Sequence, residues 1–154
     1  MARGKKPLLE NIEIKKIAAE GKSIAYVDEK VLFVPNTVPG DIVDVQVTRK
    51  RKSFLEGFIV NVRKYSDIRT EPFCSHFGIC GGCKWQNLPY QLQTEFKQQE
   101  IIDNLQRIGK VELQNVAPII GSPKTTYYRN KLEYTFCNKR FLTREEIAND
   151  QDIN

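Results

Sequence analysis

The sequence has no long hydrophobic run, and none of its apolar stretches approaches the roughly 20 residues that a membrane-spanning helix requires. Its basic N-terminus, residues 1–7, lacks a following apolar h-region, so no secretory signal is predicted. We therefore expect a cytoplasmic protein with no membrane partner, in a compartment where thiols stay reduced. Four cysteines in such a protein indicate a metal site or catalysis before disulfide bonds.

Excess positive charge is absent from the second part of the sequence and concentrated in the first. Residues 1–64 contain 13 Lys or Arg against 8 Asp or Glu, whereas residues 65–154 contain 11 of each. The net charge of +5 therefore belongs to the first segment, as expected for a surface that binds a polyanion. Basic proteins are common, so charge alone does not identify the partner.

The first 64 residues show no helical period, but short apolar runs separated by turn signals. A β-like stretch lies around Ile12, Ile14 and Ile17, and the later runs are Ile24–Val27, Val31–Val34, Ile42–Val47 and Phe58–Val62. Residues 35–41, rich in Pro, Gly and Asn, are predicted to form a turn. About five short strands in a row predict a mainly β, OB-like barrel over residues 1–64.

A charge run lies between the last two predicted strands. Its four consecutive cations are Arg49, Lys50, Arg51 and Lys52. A solvated hairpin loop explains most such runs, but four neighbouring cations repel one another, and a phosphate backbone relieves that repulsion. We therefore predict that this loop contacts phosphate, and that three lysines near the first turn extend the same surface. These are Lys15, Lys16 and Lys22.

The pattern changes after residue 64. Residues 65–88 form a loop rich in cysteine and glycine, and Pro89 is placed to begin a helix. Apolar residues then follow at a helical spacing that predicts core packing, and Gly109 marks the end of the helix. These residues are Leu92, Phe96, Ile102, Leu105 and Ile108. Val116–Ile120 and Lys131–Phe136 resemble strands, so residues 111–154 are predicted to begin an α/β region.

Three cysteines give the sharpest chemical signal, in the spacing Cys74-x5-Cys80-x2-Cys83. A Cys-x2-Cys pair directs two sulfurs at one centre, and the neighbouring glycines let the backbone wrap closely around a bulky group. The spacing alone leaves two alternatives open: an iron–sulfur cluster, or a zinc site with His76 as a fourth ligand. Against zinc, Cys74 and His76 are crowded together, and no second Cys-x2-Cys pair is present.

The fourth cysteine, Cys137, is predicted to lie outside this site. In the expected strand it shares a face with charged and polar residues rather than with the apolar ones. An ordinary strand residue is therefore the preferred interpretation, which leaves three ligands in the chain. A four-sulfur site then needs its fourth ligand from elsewhere.

Several motifs occur in a characteristic order along nearly the whole chain. Val34-Pro35 and Val38-Pro39-Gly40-Asp41 look like the loop of a TRAM domain. The later motifs are Ser66-x2-Arg69-x2-Pro72-x-Cys74, Cys80-Gly-Gly-Cys83-x-Trp85-Gln86, Leu105-x-Arg107-Ile108-Gly109 and Tyr128-Arg129-Asn130-Lys131. Together they resemble the N-terminal part of the bacterial 23S ribosomal RNA uracil-5-methyltransferases that carry a TRAM domain and a [4Fe–4S] cluster.

The resemblance implies roles for the residues already singled out. A [4Fe–4S] cluster is expected on Cys74, Cys80 and Cys83, with its fourth ligand outside this chain. The barrel cations would bind ribosomal RNA. Arg129 and Lys131, on one face of the expected strand, either clamp a phosphate together or form a solvated strand face. Trp85 is expected to pack over the cluster rather than to stack on a base.

The resemblance also implies a reaction. Members of the family transfer a methyl group from S-adenosylmethionine to C5 of a uracil after a cysteine thiolate has attacked C6. Their catalytic and cofactor-binding residues belong to a C-terminal half, so none is assigned here, and the chain alone is expected to be an inactive monomer. Its expected parts are a TRAM barrel at 1–64, a cluster loop and helix at 65–110, and the start of the central or catalytic α/β region, truncated, at 111–154. The alternative is a stand-alone TRAM RNA-binding module with a zinc-stabilised loop.

Overall fold

The computed structural model describes residues 6–79 and 81–127, together with 136, 138, 142 and 146. Two compact units make up the chain, Met1–Gly121 and Ser122–Asn154. Within the described residues, no helix is both long and apolar enough to cross a membrane.

Six strands of the first unit form one sheet. They are β1 (Leu8–Glu13), β2 (Lys16–Ile17), β3 (Lys22–Val27), β4 (Lys30–Pro35), β5 (Ile42–Lys50) and β6 (Phe54–Lys64). The strand order is β1-β5-β6-β4-β3-β2, and only the β4–β6 pair is parallel.

The two edge strands come from one stretch of chain, because only Ile14 and Lys15 separate β1 from β2. The Lys15 amide donates to the Ile24 carbonyl at 2.8 Å, and the Ile14 amide donates to the Asp41 carbonyl at 2.9 Å. The sheet therefore closes on itself, and its edge hydrogen-bonding groups find partners. The predicted mainly β barrel is confirmed, with six strands rather than about five.

The core of the barrel follows the period-two alternation of its strands. Alternate residues point inward. Burying one Val, Leu or Ile side chain contributes roughly 1.5–3 kcal/mol to the stability of the fold. The core cluster consists of Ile14, Ala25, Leu32, Val34, Val43, Val45, Val47 and Leu55. The residues between them point outward, so β3, β4 and β6 share one continuous outer face.

The sequence predicted that the whole charge run lies in a loop, but only part of it does. Strand β5 continues to Lys50, and the turn consists of residues 51–53. Arg49 is held in the strand because it pairs with Glu56 of β6, with its Nη1 3.4 Å from Oε2, and because its guanidinium lies 5.9 Å from the Phe54 ring centre. Cross-strand contacts of this kind extend the ladder into a sequence that resembles a loop.

The cysteine-rich loop is tied to the barrel through Asp41, whose side chain is fully buried. Each carboxylate oxygen accepts two hydrogen bonds. One oxygen accepts from the Ser66 amide at 3.0 Å and from Arg69 Nε at 2.8 Å, and the other accepts from the Val38 amide at 2.8 Å and from Arg69 Nη2 at 2.6 Å. A second tie joins the two ends of the loop, where the Thr70 amide donates to the Asn87 carbonyl at 3.0 Å.

Helix α1 (Tyr90–Asp103) begins directly after Pro89, and a π-helical turn (Asn104–Ile108) continues it to Gly109. Both predicted ends are confirmed. The predicted core packing of its apolar stripe is wrong for this chain, because no residue of α1 or of the turn is buried. Leu105 is 40% and Ile108 80% exposed, and a groove of about 350 Å³ lies between the helix and residues 113–119.

No strand forms at Val116–Ile120, in contrast to the sequence prediction. Gln98 of α1 takes the place of a partner strand, because its side-chain amide donates to the Ala117 carbonyl at 3.0 Å and accepts from the Ile119 amide at 3.0 Å. The segment is thus held to a helix without a ladder. The other predicted strand, Lys131–Phe136, lies outside the described residues except for Phe136, and the expected α/β region remains a prediction.

Candidate nucleic-acid interface

A row of side chains crosses the outer face of the barrel. The strand registers place Lys16 opposite Ile24, Ile24 opposite Phe33, Phe33 opposite Glu56, and Glu56 opposite Arg49. Paired residues share a face of the sheet, so two of the predicted cations, Lys16 and Arg49, mark the ends of one row. We call the outer surface of β3, β4 and β6, together with this row, the cation face.

Glu56 draws a third predicted cation, Lys22, to the same place. Its two carboxylate oxygens lie 3.7 Å from Lys22 Nζ and 3.4 Å from Arg49 Nη1. Lys22 also lies 3.6 Å from Glu20. One half-buried carboxylate thus holds two cations that are far apart in the sequence, and it only partly neutralises them.

The tip of the β5–β6 hairpin carries the unneutralised charge. Lys50, Arg51 and Lys52 are exposed, and none of them forms an ion pair with another described residue. Mutual repulsion of uncompensated cations at a hairpin tip is relieved by a polyanion. These three cations are therefore available for the phosphate contact that the sequence predicted.

Lys15 is the exception among the predicted barrel cations. Its ammonium pairs with Glu13, two residues earlier, and its backbone belongs to the link between β1 and β2. Glu13 partly neutralises the charge of Lys15, and within the described residues no contact joins Lys15 to Lys22 or Arg49. Lys15 remains a predicted RNA contact, but the described contacts do not bring it to the cation face.

Aromatic side chains lie between the cations, and the sequence analysis missed them. Tyr26 is 57% exposed, and the register Tyr26–Val31–Phe54 forms a second outer row beside the first. The Phe33 and Phe54 rings meet edge to face, with centres 5.9 Å apart. Their signal was present in the alternation of β3 and β4, where the aromatic residues occupy the outward positions. Aromatic and cationic side chains on one strand face are typical of platforms for single-stranded nucleic acid.

The cysteine-rich loop presents two of its three predicted ligands within the described residues. Cys74 is half-buried and Cys83 exposed, and both thiols are free of disulfide bonds. Cys80 lies outside the described residues, as does Cys137. Among the described residues, Cys74, His76 and Cys83 included, no group of three or more His, Cys, Asp or Glu is arranged to hold a metal ion. The exposed His76 contacts Ser75, with Nδ1 3.3 Å from Oγ.

Trp85 packs against the helix that follows the loop. Lys97 of α1 places its ammonium 5.7 Å from the centre of the Trp85 ring, and Gln93 donates to the Trp85 carbonyl at 2.9 Å. The indole Nε1 is buried and has no hydrogen-bond partner among the described residues. Trp85 thus contacts the helix, and its packing over a cluster stays a prediction. The remaining predicted RNA contacts, Arg129 and Lys131, lie outside the described residues.

Comparison with known proteins adds a domain and a set of relatives. Residues 10–60 match the model of the TRAM domain. An uncharacterized RNA methyltransferase from Bacteroides thetaiotaomicron is 54% identical over 134 residues, which cover 87% of this chain and 30% of that protein. A 23S rRNA (uracil(1939)-C(5))-methyltransferase from Acidithiobacillus ferrooxidans is 42% identical over 118 residues, which cover 77% of this chain and 27% of that protein.

Solved structures also match. One of them is the tRNA (uracil-54, C5)-methyltransferase of Pyrococcus abyssi in complex with S-adenosyl-L-homocysteine, at 25% identity and a TM-score of 0.43. The match covers 73% of this chain and 24% of that chain. The chain thus spans about 30% or less of the length of these relatives.

Proposed function

We propose that this chain, which belongs with the TRAM-containing RNA methyltransferases as a counterpart of their N-terminal part, binds RNA through the cation face. In this role the barrel grips the phosphate backbone of a ribosomal RNA on behalf of an enzyme that forms 5-methyluridine with S-adenosylmethionine. The relatives named for 23S rRNA support that substrate.

The hairpin tip is the observation that carries the proposal. Three exposed cations that have no ion-pair partner among the described residues lie next to the cation face. On that face Glu56 holds Lys22 and Arg49 together, and aromatic residues lie between the cations. Phosphates replace the missing counter-charges, and the aromatic faces accept unpaired bases. A charge run that served only solubility would need neither the aromatic rows nor the carboxylate that gathers two cations.

The test is the salt dependence of RNA binding. Replacing Lys50, Arg51 and Lys52 by Gln should flatten the plot of log affinity against log salt by about 2, since each lost contact with single-stranded RNA removes about 0.7. Fluorescence anisotropy of a labelled RNA of about 16 nucleotides, the upper site size of one OB-type fold, measures this slope.

A matched variant controls for net charge. Lys64, Lys110 and Lys124 are also exposed and free of ion pairs with described residues, and none of them belongs to the hairpin tip at residues 50–52. Their replacement by Gln removes the same three charges and should leave the slope nearly unchanged. An equal effect of the two triple variants would show that binding depends on total charge, and the cation face would no longer be the site.

We further propose that Cys74, Cys80 and Cys83 hold a [4Fe–4S] cluster, with a fourth ligand from outside this chain. Two free thiols on a loop anchored to the barrel support it, as does the open space around the loop glycines Gly78 and Gly81, both at positive φ. Such a cluster would shape the loop beside the RNA rather than take part in methyl transfer.

The colour of the protein distinguishes this proposal from a zinc-stabilised binding module. Anaerobically purified protein with a cluster should be brown and contain iron and sulfide, and replacing Cys83 by Ser should remove both. Colourless protein with stoichiometric zinc would contradict the cluster and support the zinc-stabilised loop. RNA binding by the cation face does not depend on which metal is found.

A further inference from the structure

The cysteine-rich loop contributes a cation of its own to the barrel surface. Lys84 follows Cys83 directly, and its side chain runs across the backbone of Gly21, at the end of the short 3-10 turn that precedes β3. A Cβ at Gly21 would lie only 2.5, 2.9 and 3.3 Å from Cβ, Cγ and Cδ of Lys84. The first three methylene groups of Lys84 are thus packed against the barrel, next to Lys22.

The charged end of Lys84 is not neutralised. The residue is exposed, and it forms no ion pair within the described part of the chain. Glu20, the acidic residue beside Gly21, is paired with Lys22 at 3.6 Å. A lysine with a packed stem and a solvated ammonium has already lost part of its rotamer entropy, so binding an anion costs it less than it costs a free lysine.

A series of contacts connects Lys84 with the rest of the cation face. Gly21 leads into Lys22, Glu56 joins Lys22 to Arg49, and Arg49 leads into the hairpin tip. On the other side, Lys97 lies over the ring of Trp85, the residue after Lys84. The positive surface therefore continues from the barrel onto the cysteine-rich loop without a break in these contacts.

We propose that Lys84 is a phosphate-contact residue of the RNA surface, and that the absence of a side chain at Gly21 allows it to reach that position. The inference rests on the proposed function, since it extends the same RNA surface. An RNA strand bound to the hairpin then also contacts the cysteine-rich loop, and the two contacts together define the path of the strand across the protein. Contacts of this kind position the RNA and carry no sequence information.

The test replaces Lys84 by Gln, which keeps carbon atoms at the packed Cβ, Cγ and Cδ positions and removes the charged end of the side chain. Binding of the labelled RNA by the full 154-residue chain should weaken about fivefold at low salt, and the salt slope should flatten by about 0.7. Lys84→Arg should restore both values. Lys64→Gln, a matched exposed lysine at the far end of β6, should change neither.

The outcomes separate this inference from the proposed function. If Lys84→Gln binds RNA as wild type does while the hairpin variant loses binding, Lys84 is no RNA contact and the barrel site stands. If neither variant changes the slope, both the barrel site and the inference are overturned. If Lys84→Gln weakens binding but Lys84→Arg does not restore it, the side chain acts through packing, which overturns the phosphate contact. Circular dichroism of each variant confirms that the fold is retained.

Discussion

At the scale of single residues, Asp41 shows how much one buried carboxylate organises. Its four hydrogen bonds join the turn before β5 to the first residues of the cysteine-rich loop. A carboxylate with no exposed surface is tolerated only because all of its partners are present.

Removing its guanidinium partner should therefore be costly. We expect Arg69→Gln to lower the free energy of unfolding by about 3–5 kcal/mol, because it leaves a buried charge half-satisfied. Urea unfolding measures the loss. Arg107→Gln is the matched control, since Arg107 is 71% exposed, lies 3.6 Å from Asp103 in an i,i+4 pair, and should cost no more than about 0.5 kcal/mol. A similar small loss in both variants would contradict the role of Asp41.

Asp44 gives a prediction for the dependence of stability on pH. The pKa of its carboxyl lies below the usual value, mainly because it accepts a hydrogen bond from the Asn11 amide at 3.0 Å. That amide lies at a β-bulge, where Asn11 has a φ of 54° and the ladder leaves it unpaired. Hydrogen bonds from Asn61 and Arg63 add to the effect, and burial opposes it.

A lowered pKa in the folded state means that the charged carboxylate stabilises the fold. The contribution is complete above the unfolded pKa of about 3.9 and is lost as the pH falls through the lower folded value. Wild type should therefore keep a constant advantage over Asp44→Asn from neutral pH to about pH 5, and the advantage should shrink below about pH 4. Urea unfolding at a series of pH values measures it, and an advantage that grows on acidification would exclude this explanation.

At the scale of elements, Gly21 determines how the cysteine-rich loop meets the barrel. Its φ of +73° is costly for any residue with a Cβ, and a Cβ would also collide with the stem of Lys84. Gly78 in the loop has a similar φ of +81° but has no atom within 4 Å of its Cβ position.

The two glycines therefore separate backbone strain from collision. Gly21→Ala and Gly78→Ala should share a backbone cost of about 1 kcal/mol, and Gly21→Ala should lose about 1–3 kcal/mol more because of the crowding against Lys84. The melting temperatures of the two variants measure the difference. Equal losses would mean that Lys84 moves away freely and that its packing on Gly21 is weak.

At the scale of the whole molecule, the chain accounts for about 30% of the length of its methyltransferase relatives. No catalytic or S-adenosylmethionine-binding residue was predicted in it. We therefore expect purified protein of these 154 residues to bind RNA without forming 5-methyluridine. Mass spectrometry of nucleosides from RNA incubated with the protein and S-adenosylmethionine measures this, and a methylated product would place catalytic residues in this chain.

Local chemistry made much of the fold predictable from the sequence. Alternating apolar residues specified the strands of the barrel, and Pro89 and Gly109 specified the limits of the helical segment, because each acts through its own backbone and nearest neighbours. Arg49 was assigned to a loop because four cations in a row resemble one, and only Glu56 and Phe54 across the ladder show why the strand continues. The prediction of a strand at Val116–Ile120 was wrong because a strand needs a neighbouring strand to pair with, and the local pattern of apolar residues does not show whether one is present.

The positions of the charged residues, the cysteines and the turn residues follow directly from the amino-acid order, and the order of the motifs indicated the relatives that the comparisons confirmed. Which of those residues share a surface became clear only from the folded chain. Lys16 and Arg49 lie in one row because four strand registers align them. Lys84 lies beside Lys22 because the loop packs on a glycine. Such contacts depend on the closure of the sheet and on the packing of distant segments, and neither leaves a periodic signal in the sequence.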